Sequence, residues 1–233
     1  LSMVNALLKA GAKVNKKNRM QHTPLRYACM SGDVKIIETL LKAGAKVDET
    51  DKDGNTSLMI VCERYHYENR LRIVKTLFQY GACINAMNRC RYTPLHFICR
   101  LMGTQSIDVV EFLLNSGANS NARDYEGNTP LHYACMSYDH PKIVKLLLES
   151  GSDPNAEGVF GRTPLHMACD RRNTPEIVKL LLKFKSNVNA KDCEKVTPFH
   201  YACMPLCSMF SEKKQFEQLR IVKPLLLYGD DVN

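Results

Sequence analysis

Apolar residues in this chain fall three and four positions apart in short runs, and the runs return at a nearly fixed interval. The clearest run is Ile143-Val144-Lys145-Leu146-Leu147-Leu148, whose spacing lines one face of a helix. Gly151 follows it and predicts a left-handed cap. Upstream, Thr129-Pro130-Leu131-His132-Tyr133-Ala134-Cys135-Met136 predicts a shorter helix. Proline suits a first helical turn, where the missing N–H has no intrahelical partner, and the threonine hydroxyl can cap the amides ahead of it. The small residues Ala134 and Cys135 let a neighbouring helix approach closely. Asp124-Tyr125-Glu126-Gly127-Asn128 supplies a turn before both. One unit is therefore an extended turn followed by two antiparallel helices.

The unit repeats. Thr-Pro-Leu or a close variant begins at Thr23, Thr56, Thr93, Thr129, Thr163 and Thr197, in steps of 33, 37, 36, 34 and 34 residues. A glycine followed by a small residue tracks it at Gly11, Gly44, Gly81, Gly117 and Gly151, and glycine returns at Gly229. A single unit cannot bury both of its apolar faces, so neighbours must supply the stability. The chain opens inside a second helix, at Met3 to Leu8, and stops at Asp231-Val232-Asn233, where another turn begins. It is expected to be a segment of a longer array or of a larger protein.

Thr-Pro-Leu-His at Thr93, Thr129 and Thr163, continued by x-Ala in the last two, resembles the ankyrin repeat. Ile-Val-Lys-x-Leu-Leu and Gly-Ala-x-x-Asn-Ala carry the same resemblance, and it covers nearly the whole chain. It implies an all-α solenoid of stacked antiparallel helix pairs with β-hairpin-like fingers. Residues 1–233 then form one domain: a partial repeat at 1–15, repeats at 18–48, 51–85, 88–121, 124–155 and 158–189, and a divergent repeat at 192–233 with a long insertion between its helices.

Several positions depart from the pattern. From the motif threonine to the second-helix pair takes 13, 17, 16, 14, 14 and 24 residues in successive units, so extra length gathers in the loop between the helices. Arg64 to Arg70 and Met204 to Arg220 are the largest additions; such insertions fall on one edge of a stack, as a binding edge or as tolerated surface drift. Pro224 is expected to shorten the last helix, which should start near Ile221. Lys185 stands where the other units carry glycine. Either it adopts a positive φ with a compensating contact, or its helix ends differently.

Candidate chemistry changes the picture little. Cys29, Cys62, Cys99, Cys135, Cys169 and Cys203 share one repeat position and read as small buried packing groups. Stacked helices stand about 8–10 Å apart, too far for the Cα separation of a disulfide. Cys193, His200, Cys203 and Cys207 are ligand types that zinc accepts, yet the repeat already accounts for His200 and Cys203, so no metal or other cofactor is assigned. The motif histidines are expected to tie neighbouring turns by hydrogen bonds. The stripe Tyr27, Ile60, Phe97, Tyr133, Met167 and Tyr201 reads as core. No Gly-x-Ser-x-Gly elbow, phosphate loop or His-Glu-x-x-His pair occurs, which argues against an enzyme.

Composition adds the class of partner. An apolar fraction of 45% suffices for a packed core, and no apolar run is long enough to span a bilayer, so no membrane role is expected. No signal-peptide pattern stands at the start, and ten cysteines scattered through helices point to reduced thiols and an intracellular setting, cytoplasmic or nuclear. The net charge of +8 favours an acidic partner but is too small for a polybasic nucleic-acid binder. By resemblance, partners bind the finger tips and the exposed ends of the first helices on the concave face. The residues expected to bind a protein there are Arg89, Tyr92, Arg100, Tyr125, Phe160, Arg64, Met136, Arg162 and Arg171; a solvated mixed-charge surface is the competing reading. The leading function is a non-enzymatic interaction scaffold, such as the substrate-recognition part of a larger assembly. The alternative is a sensor of a phosphorylated small molecule that regulates an attached domain.

Overall fold

A computed structural model describes residues 1–64, 69–101, 106–137, 141–170, 175–204 and 221–226. Short and long helices alternate along it: α1 (Ser2–Lys9), α2 (Pro24–Ser31), α3 (Val34–Lys42), α4 (Ser57–Glu63), α5 (Arg70–Gln79), α6 (Pro94–Arg100) and α7 (Ile107–Asn115). They continue with α8 (Pro130–Met136), α9 (Pro141–Glu149), α10 (Pro164–Asp170), α11 (Pro175–Lys183) and α12 (Pro198–Cys203). A helical stretch at 221–226 begins where Pro224 can sit within the opening turn. Among the described residues there is no strand, and the fingers close on a pair of backbone bonds, such as Asp51 N–H to Asn55 O at 3.2 Å and Gly54 N–H to Asp51 O at 3.1 Å. Most of both expected insertions, Cys207 and Arg171 lie outside the described residues.

The motif threonine starts each short helix as its side chain predicts. Thr23 Oγ1 accepts the N–H of Arg26 at 3.2 Å, and Thr93 Oγ1 that of His96 at 3.4 Å. The histidine three residues on completes the cap from the other side. Its Nδ1 accepts the threonine N–H at 3.1 Å in Thr93–His96, 3.0 Å in Thr129–His132, 3.0 Å in Thr163–His166 and 3.2 Å in Thr197–His200. With Nδ1 an acceptor, Nε2 carries the proton and donates onward: His132 to Arg162 O and His166 to Val196 O, both at 3.1 Å. The expected tie between neighbouring turns is thus a bond from one unit's cap to the next unit's finger. In the first unit Arg26 holds the histidine register, reaching Asn55 O at 3.3 Å and pairing with buried Asp51 at 2.5 Å.

The chain divides into two compact units, with the boundary in the described residues falling after Asn119. In the first, α2, α4 and α6 stack in order, each against its long partner α3, α5 or α7. In the second, α8, α10 and α12 stack, with α9 and α11 behind. The core is the inner side of these rows: Leu58, Ile73, Leu77, Leu95 and Leu113 in the first unit, Leu131, Ile143 and Leu147 in the second, all fully buried. Each such burial contributes roughly 1.5–3 kcal/mol.

A row of asparagines fixes the spacing. Asn15, Asn85, Asn121 and Asn155 each donate Nδ2 to the carbonyl of a helix-ending residue one repeat on (Gly44, Gly117, Gly151 and Lys185) at 2.8–3.1 Å. Each also accepts a backbone N–H two residues beyond, from Lys46, Asn119, Asp153 and Asn187, at 2.7–2.8 Å. Lys185 does enter the left-handed region, at φ 65°, and its carbonyl takes the same asparagine bond that the glycines of the other repeats take. Asp48 occupies the same register, and its carboxylate accepts the N–H of Cys83 but has no proton to donate.

Two expectations about the core need correction, both at ends of the described stack. Tyr27 is 50% exposed while Ile60, Phe97, Tyr133, Met167 and Tyr201 are buried. No short helix precedes α2 among the described residues, and Leu7 of α1 is 56% exposed although Leu40, Leu77, Leu113, Leu147 and Leu181, in the same register, are buried. An apolar cavity of about 450 Å³ lined by Val4, Leu7, Leu8, Tyr27, Ala28 and Leu40 lies there. Cys203 is exposed, unlike Cys29, Cys62, Cys99, Cys135 and Cys169; among the described residues α12 is the last short helix and stacks on α10. Burial pushes the thiols of Cys29, Cys62 and Cys169 up to about 12 and raises that of Cys135 as well. These groups stay protonated at neutral pH and act as packing side chains.

Candidate functional site

The fingers are built to hold a few side chains away from the stack. Asn18, Asp51, Asp124 and Asp192 each accept two backbone N–H groups of their own finger at 2.8–2.9 Å, which folds the loop back on itself. Tyr133 and Tyr201 donate their hydroxyls to Asp124 and Asp192 at 2.6 and 2.8 Å, anchoring two of these loops to the helix that follows. Burial alone would raise the Asp192 carboxyl; the hydrogen bonds from Tyr201, Val196 and Glu194 outweigh it and hold that group below the usual carboxylate range. Two residues before each motif threonine the backbone is left-handed: Gly54, Gly127 and Gly161 at φ 71–83°, and Gln21, Arg91 and Lys195 at φ 62°. What lies just ahead of that residue becomes the tip.

In the first unit, Arg89 is exposed at a tip, and its N–H donates to Asp53 O of the preceding finger at 2.9 Å. Tyr92 is half-buried, its ring 5.7 Å from His96 and 5.5 Å from Phe97, so one face is spent on the stack. Arg100 is exposed in the last turn of α6, and Arg64, exposed at the end of α4, has its carbonyl bonded by the Arg70 guanidinium. In the second unit, Tyr125 is 82% exposed and Phe160 65% exposed at two tips, and Met136 is half-buried at the end of α8.

The Phe160 finger differs from the rest. It carries Gly158 where the others carry Asp or Asn, and any Cβ there would meet Asn128 Oδ1 at 2.3 Å and His132 Nε2 at 2.9 Å. Asn128 of the preceding finger lends the missing oxygen, accepting the N–H of Val159 at 3.0 Å. The loop tightens into a single 3-10 turn, Val159–Gly161, and Phe160 is driven to φ 55°. Its carbonyl accepts the N–H of Cys193 at 2.9 Å, which fixes the tip. Arg162 then lies with Cζ 4.7 Å from the Tyr201 ring centroid and 6.0 Å from that of Phe160. Sequence reasoning read Tyr201 as core alone; the signal for its second role was an arginine before one motif threonine and a tyrosine four after the next.

The family model described as "Ankyrin repeats (3 copies)" matches residues 1–88, 67–158 and 155–233. The chain belongs to the ankyrin repeat family. No curated protein matches the chain. Ankyrin repeats are generally protein-interaction modules, and in this ankyrin chain the exposed tips and helix ends vary while the buried Thr, His and Leu positions recur. Among the described residues, no helix is long and apolar enough to cross a membrane.

Proposed function

We propose that this ankyrin array is a non-enzymatic scaffold that binds a partly acidic protein through its finger tips and the ends of its short helices. The observation that carries this reading is the contrast between a repeated, buried frame and tips that expose Tyr125 and Phe160 to solvent at 82% and 65%. Large aromatic and arginine side chains on rigid loops lose little freedom on binding and dominate interface energies. Arg64, Arg89, Tyr92 and Arg100 serve the first unit in this way, and Tyr125, Met136, Phe160 and Arg162 the second; Arg171 is assigned by register alone. The solenoid geometry implied by the repeat gives these loops a common direction within each unit.

The test is affinity purification of the parent protein, identification of what is bound, and titration against two variants. One carries alanine at Arg89, Tyr92 and Arg100, the other at Tyr125 and Phe160. Each is expected to weaken binding by about tenfold or more. Wild-type affinity in both variants, with their melting curves unchanged, overturns the assignment.

A further inference from the structure

We infer that Arg162 is a preformed receptor for a carboxylate side chain of the protein partner, with Phe160 as the apolar anchor beside it. This rests on the partner-binding reading and adds the chemistry of one partner residue.

Three observations point to it. First, the guanidinium is already ordered. It stacks over Tyr201, which is itself held by its hydroxyl bond to Asp192 at 2.8 Å and by an edge contact with His166 at 5.8 Å between centroids. Ordering a free arginine is a large part of what weakens exposed ion pairs, and here that loss belongs to folding rather than to binding. Second, its donors are not used up. Asp192 Oδ2 forms a long ion pair with Nε at 3.8 Å but no hydrogen bond to it, and the Asp192 oxygens already accept from Tyr201, Glu194 and Val196. Nε is buried and out of a partner's reach, but neither Nη bonds an acceptor among the described residues, and the side chain as a whole keeps 29% of its surface exposed. Third, the arrangement is not part of the repeat. The same two register positions read His22 with Ile60, Asn55 with Phe97, Tyr92 with Tyr133, and Asn128 with Met167 elsewhere, with no arginine among them. Arg162 with Tyr201 is a local departure, set beside the strained finger that turns Phe160 outward.

A planar guanidinium held over the Tyr201 ring suits the two oxygens of Asp or Glu, and a lysine ammonium does not reproduce that fit. The partner residue next to the acid should be aromatic or aliphatic, to lie on the Phe160 ring.

The experiment selects a random dodecapeptide phage library on the wild-type protein, then titrates the best synthetic peptide against wild type, Arg162→Lys and Arg162→Gln. The same peptide with its acid changed to the amide completes a double-mutant cycle. Enriched peptides are expected to share Asp or Glu beside an apolar residue. The amide change should weaken wild-type binding about tenfold and leave Arg162→Gln unaffected, with Arg162→Lys recovering only part of the loss. The inference is overturned if no acidic position is enriched, or if Arg162→Gln still prefers acid over amide. Circular-dichroism melts check that the variants fold. Peptides that ignore Arg162 but lose binding with Tyr125→Ala would leave the scaffold reading standing without this subsite. Failure to enrich any peptide that depends on a finger residue would count against both.

Discussion

Asp48 is the one rung of the asparagine row that lacks a donor, and its cost should be measurable. Asn15, Asn85, Asn121 and Asn155 all give a proton to the carbonyl that ends the next long helix, whereas the Asp48 carboxylate only accepts from Cys83. Asp48→Asn restores a donor toward the Gly81 carbonyl and should raise stability by about 1 kcal/mol. A urea midpoint that moves up with an unchanged slope would show it; a midpoint that falls would mean the charged acceptor is the better partner for Cys83. This row was visible in the sequence only as an Asn in Gly-Ala-x-x-Asn-Ala. Its hydrogen-bonding role was not, because it depends on how far one repeat sits from the next. Lys185 was legible as an exception, since glycine recurs at that register, and the structure keeps the glycine-like φ and the same asparagine bond there. Gly158 escaped notice because a glycine in a turn ordinarily signals freedom, and here it signals the close approach of Asn128 and His132.

Among the elements, the short helices matter most for acid behaviour, since four of them, α6, α8, α10 and α12, carry a histidine whose Nδ1 accepts a hydrogen bond in the cap. Burial pushes His132 down to about 4, against the ordinary histidine value of 6.5 that applies to the unfolded chain. The folded state therefore prefers the neutral ring, and its contribution is complete above about pH 6.5 and lost as pH falls toward 4. His166 is lowered by burial in the same sense. Stability should fall by up to about 3 kcal/mol over that window from His132 alone. Thermal melts from pH 7 to pH 4 on wild type and His132→Gln check this: the variant starts less stable and should lose less on acidification. Parallel curves for the two would remove His132 as the cause. Helix positions themselves were largely readable, because threonine, proline and periodic leucine mark them within a residue or two. The capping partner was foreseen as a tie, but its direction, Nδ1 inward and Nε2 to the next finger, comes from the backbone geometry.

For the array taken together, the position of a residue in its repeat predicts less than whether the neighbouring repeat covers it. Leu7 and Leu77 hold one register, yet Leu7 is 56% exposed and Leu77 fully buried. Leu77→Ala should cost about 2–5 kcal/mol, and Leu7→Ala less than about 1 kcal/mol. Denaturation curves of the two variants decide it; equal losses would mean that α1 is covered after all. The repeat gave the fold class before any coordinate, since six phased motifs leave few alternatives. The binding residues were legible only as a list of exposed types. Which of them are free to meet a partner follows from stacking: Tyr92 leans on His96 and Phe97, while Tyr125 stands clear. The Arg162 subsite was hidden because it joins residues of two consecutive repeats.

The asparagine bonds carry one more consequence. They link residues 29 to 32 positions apart. Contacts this short in sequence keep loop-closure entropy low, so no segment has to wait for a distant one. As such a chain leaves the ribosome, each finished repeat offers the template on which the following one settles. Assembly can then keep pace with synthesis.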